Sequence, residues 1–346
     1  MMRRTDDVRT AAQTLLDGHV VLLPTETVYG IAARADEPAA VAQIYRAKGR
    51  PLEHPLIVHV ADAEAALAVG APGAWASFVP DYARELAAQL WPGPLTLVLP
   101  RTARAIDQVT GGQDTVALRV PRHPLARAII AAMDELDPDG APHGVAAPSA
   151  NRFGRVSPTT VDDAVAELAG CLDDVADIAV DGGPCDVGVE STIVDCTGET
   201  PRILRPGGVG KSHVERITGM VVDMAAPQVI RVPGLLPSHY APDARVILAA
   251  DAAELQDLAD VPLERGEDMR SIGVIAPSSI PTPAGAIRLA APVSAREYAH
   301  DLYAALREAD RKDIALVIAV PPEDDFTGLG EAILDRLNRA AAPRQG

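Results

Sequence analysis

The sequence predicts an α/β protein: a first domain built on a mixed sheet, then a smaller second α/β domain. Three observations carry this. Short apolar runs bounded by Gly, Pro or polar residues alternate with helical patterns through residues 1–215. Residues 225–243, AAPQVIRVPGLLPSHYAPD, hold four prolines and few helix formers, which marks a linker. The alternation then restarts and runs to the end of the chain. Length agrees, because 346 residues exceed the roughly 250–300 at which single cores stop growing. The expected division is 1–215 for the first domain, 216–243 for a proline-rich linker, and 244–346 for the second domain.

Residues 5–18 read as a helix and VVLLP (20–24) as a buried strand. A helix over 38–48 precedes the strand LIVHV (56–60), and helices follow near 62–69 and 80–90. LTLVLP (95–100) and TVALRV (115–120) are strands, and 123–135 is a helix. GVAAP (144–148), a helix over 159–170 and the strand IAVDGG (178–183) come next. STIVDC (191–196) and PRILRPG (201–207) pair across the turn Thr197-Gly198-Glu199. Past the linker, strands RVILAA, SIGVIAP and IALVIAV (314–320) alternate with helices at 252–259, after Ser294, and at 328–341. Ser294 with Glu297 three places on forms a capping box, and Tyr298, Leu302 and Leu306 recur at core spacing.

Composition narrows the function. Hydrophobic residues make up 48% and charged residues 23%, which is globular rather than disordered. No run of 18 uncharged apolar residues exists, so no membrane-spanning helix is expected. MMRRTDDVRT has acids and no apolar stretch, so it is not read as a signal peptide, and a cytoplasmic protein is expected. The net charge of -17 argues against strong direct nucleic-acid binding, which needs basic surface. An anionic ligand would need a local cationic cluster. Cys171, Cys185 and Cys196 form no CxxC pair and read as buried free thiols, not as a metal or disulfide set.

Several segments can carry chemistry. PTETVYG (24–30) leaves the first buried strand and places Thr27 and Glu26 at a sheet edge, where α/β proteins bind ligands. In KGRP (48–51), Lys48 continues the inward stripe of Val41, Ile44 and Tyr45, with Arg50 two residues on. Two cations so close repel, and a polyanion between them relieves the repulsion. A helix C-terminus would also accommodate that lysine. HPLIVHV places His54 before a strand and His59 within it, where a satisfied core histidine is the ordinary reading. Arg119 lies inside the apolar strand LRVP and needs a carboxylate, either from the protein or from a ligand. APSAN (147–151) presents Ser149 and Asn151 on a small-residue turn. SPTT (157–160) reads as a helix start, and ESTIVD and RILRPG add Ser191, Thr192 and Arg205.

In this order, PTETVYG, KGRP, HPLIVHV, PGPLTLVLP, RVP, APSAN-x-x-G-x-x-SPT, DGG…ESTIVD and ILRPG resemble the YrdC-like family of threonylcarbamoyl-AMP synthases. PGLLPSHYAP and the closing GLGEAILDRLNRAA resemble its two-domain form, so the likeness covers essentially the whole chain. The paired KxR and SxN motifs are its most specific part. The resemblance implies a YrdC-like twisted mixed sheet with a concave ligand site, and a Rossmann-like C-terminal domain. It implies a nucleotidyltransferase converting L-threonine, bicarbonate and ATP into L-threonylcarbamoyl-AMP and pyrophosphate. The threonylcarbamoyl group then passes to tRNA through a separate transferase complex. Thr27, His59, Arg119, Ala147 (by its backbone) and Ser191 would hold threonine. Lys48, Arg50, His54, Thr115, Ser149, Asn151, Ser157, Arg205, His239 and Tyr240 would serve ATP, with Lys48 and Arg50 also catalytic. Mg2+ is expected from ATP chemistry, without a dedicated carboxylate cage. Where some family members carry a basic, tyrosine-containing linker, this chain has Leu236-Pro237-Ser238. Two competing readings are an RNA-binding or ribosome-associated YrdC-like module, and a carbamoyl-adenylate-forming enzyme. The latter normally carries paired CxxC motifs and an acylphosphatase-like segment, which this chain lacks.

Overall fold

A computed structural model describes residues 2–140, 142–224, 230–234, 239–260, 272–323 and 328–343. Leu236, Pro237 and Ser238 lie outside the described residues, as does part of the linker. The first sheet is formed by Arg3–Thr5 (β1), Val21–Leu23 (β2), Gly30–Arg34 (β3), Ile57–Val60 (β4), Leu95–Pro100 (β5), Thr115–Arg119 (β6), Gly144–Ala146 (β7), Ile178–Val180 (β8), Thr192–Asp195 (β9), Arg202–Arg205 (β10) and Asp223–Met224 (β11). Their spatial order is β1-β8-β2-β3-β7-β4-β6-β5-β9-β10-β11, mixing parallel and antiparallel pairs. The elements expected from sequence recur within a few residues. The antiparallel pairing of β9 and β10 is also present.

Alternation along the strands decides which faces are buried. Leu56, Val58, Val60, Val116, Leu118, Leu95, Leu97, Val194 and Ile203 point into one large core. Helices Pro38–Lys48 (α2 in chain order, after Val8–Leu16, α1) and Asp81–Leu90 (α4, after Ala63–Leu67, α3) contribute Val41, Ile44 and Leu86 to it. The opposite face is treated unevenly. At the β8-β2-β3-β7 end, α1 and Pro124–Leu136 (α6, after Asp107–Thr110, α5) pack over Val21, Leu23, Val145 and Ile178. At the β4-β6-β5-β9-β10 end no helix among the described residues joins the cluster of Ile57, Ala117, Val98, Ile193 and Leu204; Val232 and Ile230 of the linker lie on them instead. One half of this face is therefore a groove, and the groove carries the site.

Two helices follow the first strands: Val161–Glu167 (α7), and Lys211–Thr218 (α8), whose Val214 joins the large core with Val222 beyond it. The second sheet, Arg245–Leu248 (β12), Ile272–Ile275 (β13), Ile287–Ala290 (β14) and Leu316–Ala319 (β15), is wholly parallel in the order β12-β15-β13-β14. Ala252–Asp260 (α9) packs on one face, and Ala295–Arg311 (α10) and Leu329–Ala341 (α11) on the other. Ser294 caps α10 by accepting from Glu297 N at 3.2 Å, while Glu297 Oε2 accepts from Val293 N at 3.0 Å.

The two bodies share an apolar cluster, because Val28, Val156 and Val189 of the first pack with Tyr303, Leu302 and Leu306 of α10. Ion pairs Arg307–Glu167 (3.2 Å) and Arg311–Asp163 (2.9 Å) border it. Of the cysteines, Cys185 and Cys196 are buried as expected, but Cys171 is exposed. It follows α7 in a polar surface turn, where no apolar periodicity draws it inward.

Candidate active site

The groove contains a cleft of about 500 Å³ of empty space, partly open to solvent. The turn after β2 shapes one wall. Thr25 Oγ1 accepts from the N–H groups of Thr27 and Val28, both at 3.2 Å, and so faces Thr27 and Glu26 inward. Gly30 lets the APSAN turn lie against β3, since a Cβ there would sit 3.2 Å from that of Ala147.

One end of the cleft pairs His59 with Arg119. They are register partners on the parallel strands β4 and β6. Arg119 Nη2 donates to Glu26 Oε1 (2.8 Å) and Thr27 Oγ1 (3.0 Å), so a protein carboxylate does meet this arginine. Burial pushes the Glu26 carboxyl up, but Arg119 outweighs it and holds it below its ordinary range. Arg119 Nε and both ring nitrogens of His59 are buried without a hydrogen-bond partner. Burial, reinforced by Arg119, pulls His59 down to about 3, so the imidazole is neutral near pH 7. Orphan buried polar atoms cost about 1–3 kcal/mol each. A polar ligand arriving here would satisfy them.

The other end is cationic. Gly49, left-handed at φ 62°, ends α2 and turns the chain from Lys48 to Arg50. Arg50 donates to Pro55 O (2.9 Å). Arg205 donates to Ser191 O (2.8 Å), Ser191 Oγ (3.2 Å) and Pro233 O (3.1 Å). Lys48 Nζ donates to Ser149 O (2.6 Å) and Asn151 O. Among the described residues, these three cations are held by neutral oxygens, with no carboxylate in ion-pair range. Burial and mutual repulsion follow: Arg50 is lowered to about 10, chiefly by burial with Arg205 adding to it, and Lys48 falls well below its ordinary value by burial, then by Arg50.

Most of the expected site residues meet here. Thr27, His59, Arg119, Ala147, Ser191 and Ser149 line the cleft with Arg50, Arg205, His239 and Tyr240. Lys48 and Asn151 stand just behind the lining and tie down the Ser149–Asn151 turn; Asn151 Nδ2 donates to Arg152 O and Arg155 O. Ser157 is fully buried behind Glu190, to which its hydroxyl donates at 2.7 Å. His54 is half-buried at the rim, its ring 5.4 Å from that of Phe153. Thr115 starts β6 opposite Pro100 and is outside the cleft lining. His239 is buried, with Nδ1 unpartnered, and burial holds it well below its ordinary range.

Sequence reasoning assigned no role to Glu190, Tyr303 or Arg336. Glu190 lines the cleft and accepts from Tyr303 OH and Arg336 Nε, both at 2.8 Å. Burial pushes its carboxyl up, but Arg336 and Arg205 outweigh that and hold it at about 2. The missed signal was an arginine on the apolar stripe of α11, between Ile333 and Leu337, where a charge needs a partner. Among the described residues no group of three or more His, Cys, Asp or Glu is placed to hold a metal ion. No helix among them is long and apolar enough to cross a membrane.

A concave mixed sheet with cations held by neutral oxygens at one end of its cleft, and a neutral imidazole beside an arginine at the other, suits a polyanion next to a small polar molecule. The family described as "Telomere recombination" (Sua5, YciO, YrdC) matches residues 13–207, and the threonylcarbamoyl-AMP synthase C-terminal domain matches residues 209–342. The threonylcarbamoyl-AMP synthase of Pyrococcus abyssi is 35% identical, covering 97% of this chain and 94% of its own. That of Bacillus subtilis is 37% identical, covering 97% and 93%. The crystal structure of P. abyssi Sua5 complexed with L-threonine superposes with a TM-score of 0.84 at 33% identity, covering 99% of this chain and 97% of that one. The chain belongs to the threonylcarbamoyl-AMP synthase family, in its two-domain form.

Proposed function

We propose that the chain acts as a nucleotidyltransferase that makes L-threonylcarbamoyl-AMP and pyrophosphate from L-threonine, bicarbonate and ATP. The observation that carries this reading is the cleft's polarity. Among the described residues, nitrogens of His59 and Arg119 lie unpartnered at one end, and Arg50 and Arg205 have no carboxylate in ion-pair range at the other. The relative solved with L-threonine supports the small-molecule assignment.

Threonine binds with its polar groups on His59, Arg119, Thr27 and Ser191. Ala147 gives its N–H to Ile57 O (3.1 Å), so its carbonyl is the atom left to meet the amine. The neutral amine adds to the carbon of carbon dioxide and releases a proton to solvent, or adds to the carbon of bicarbonate with loss of water, to form a carbamate. A carbamate oxygen then bonds to the α-phosphorus of ATP as the bond to the bridging oxygen breaks, and pyrophosphate leaves carrying the electron pair. Arg50 and Arg205 neutralise the departing charge and hold the phosphates with Ser149. Lys48 and Asn151 keep the Ser149 turn in place. His239 and Tyr240 face the nucleotide, with His54, Thr115 and Ser157 around it. Positioning and fixed charge carry such a displacement without a covalent enzyme intermediate. Magnesium would arrive on the triphosphate. Carbamates decompose in water, so solvent exclusion matters. The linker residues Ile230–Gly234 over the apolar floor support a lid role for the segment.

The proposed division is 1–215, 216–243 and 244–346, with Ile217, Met220 and Val222 packed on the first body. The product would pass to a separate tRNA-modifying transferase complex in the cytoplasm. The test is pyrophosphate release by the full chain with each substrate omitted in turn. Release that needs all three supports the assignment, and release indifferent to threonine removes it.

A further inference from the structure

The second domain reaches the cleft through one fully buried arginine. Arg336 of α11 gives Nε to Glu190 Oε2 (2.8 Å) and Nη2 to Pro206 O (3.0 Å). Tyr303 of α10 gives its hydroxyl to the same carboxylate oxygen at 2.8 Å. Ser157 occupies the other oxygen at 2.7 Å. Every strong partner of Glu190's carboxylate except Ser157 thus comes from the second domain.

Arg205 is the near competitor. It lines the same cleft, and its guanidinium sits on the oxygen atoms of Ser191, the residue following Glu190. Among the described residues its acceptors are all neutral: Ser191 and the linker carbonyl of Pro233. A buried carboxylate stripped of its arginine seeks the nearest cation, because an unpaired buried charge costs several kcal/mol. The cation beside Glu190 is one of the two, with Arg50, that line the cleft where an anionic ligand would bind.

We propose that Arg336 is a positioning residue: by engaging Glu190 it keeps that carboxylate off Arg205, so that Arg205 stays free for the nucleotide phosphates and stays hydrogen-bonded to the linker. The second domain therefore sets the cationic charge of a cleft it does not line. Burial raises the Glu190 carboxyl, while Arg336 and then Arg205 lower it, which agrees with two cations competing for one carboxylate. The inference rests on the assignment of ATP to this cleft.

The experiment measures threonine-dependent pyrophosphate release as a function of ATP for wild type, Arg336→Met, Glu190→Gln and the double variant, with melting temperatures alongside. A wild type without threonine-dependent release would fail the proposed function itself. Given an active wild type, Arg336→Met is expected to raise the KM for ATP at least tenfold with a smaller change in the KM for threonine. The double variant is expected to return the KM for ATP to within about twofold of Glu190→Gln alone. Recovery of folding in the double variant, if Arg336→Met alone does not fold, also supports the role. An unchanged KM in Arg336→Met, a double variant as impaired as Arg336→Met, or a failure of both to fold overturns it, the last because Arg336 would then serve the fold alone.

Discussion

His59 and Arg119 occupy the same rung of the parallel β4–β6 ladder, and both side chains line the cleft with nitrogens that have no hydrogen-bond partner among the described residues. One rung of a sheet is a rigid spacer, so two donors held this way meet a small polar ligand without reorganisation. Replacing His59 by Ala should therefore raise the KM for threonine about tenfold to a hundredfold, the range set by a hydrogen bond to a charged group of roughly 1.5–3 kcal/mol. The KM for ATP should move less than about threefold, because no nucleotide group is assigned to that end. Steady-state kinetics with each substrate varied separately decides this, and equal changes in both constants would count against it.

The same burial makes stability depend on pH. His59 sits at about 3 in the fold, through burial and then Arg119, and burial holds His239 well below its usual 6.5. In the unfolded chain both regain that ordinary value, so at acid pH the unfolded state binds more protons. Stability is then complete above about pH 6.5 and is lost as pH falls through 6.5 toward 3, at up to about 1.4 kcal/mol per pH unit for each histidine. Melting temperature should fall between pH 7.5 and 5.5 in wild type and fall less in His59→Gln. Parallel profiles would mean that the imidazole becomes protonated in the fold.

Much of this was legible in the chain because local rules were obeyed. Lys48 on the stripe of Val41, Ile44 and Tyr45 had to face inward, and it is 2% exposed. Leu56, Val58 and Val60 alternate with Ile57 and His59 along β4; the first three enter the large core, while Ile57 joins the apolar floor and His59 lines the cleft. What escaped reading was short or distant. GIAAR, the strand β3, is too small and too mixed to show a period of two, and α8 is too polar to show a stripe. Arg119 finds Glu26 across 93 residues, and Arg336 finds Glu190 across 146. No spacing rule reaches that far; only the fold brings such pairs together.

Lys48 and Arg50 stand two residues apart yet should fail differently when replaced. Lys48 holds two carbonyls of the Ser149–Asn151 turn, so Lys48→Met leaves two buried acceptors unmet and should cost about 2–4 kcal/mol of stability. Arg50 is destabilised in place by burial and by Arg205, so Arg50→Gln should leave the melting temperature of the ligand-free protein nearly unchanged or raise it. Inorganic pyrophosphate, bound between the cations, should raise the wild-type melting temperature by several degrees at saturation. Arg50→Gln should abolish that rise and lower kcat/KM for ATP by about 100-fold or more. A full pyrophosphate shift in Arg50→Gln would exclude it from the anion site.

The linker offers the last test, because its two ends are anchored by different forces. Tyr240 is left-handed at φ 61°, a conformation costing a bulky residue about 1–2 kcal/mol, and it is held by Tyr303 stacked 5.6 Å away and by Arg336 5.1 Å over its ring. Val232, at the other end, shares an apolar cluster with Ile57, Val98, Ala117, Ile193 and Leu204, and its neighbours Arg231 and Pro233 are hydrogen-bonded to Gln113, Gly111 and Arg205. A carboxylate at 232 would have to be desolvated to stay on that floor, so Val232→Asp should release this end while the Tyr240 end stays in place. Limited proteolysis should then cut near residues 230–234 in the variant and not in wild type. Threonine affinity should fall, because Pro233 and Gly234 would no longer close the cleft, yet global stability should change little, since the large core lies on the far side of the sheet. Unaltered protease resistance together with unaltered threonine binding would show that the floor contact does not hold the cleft closed.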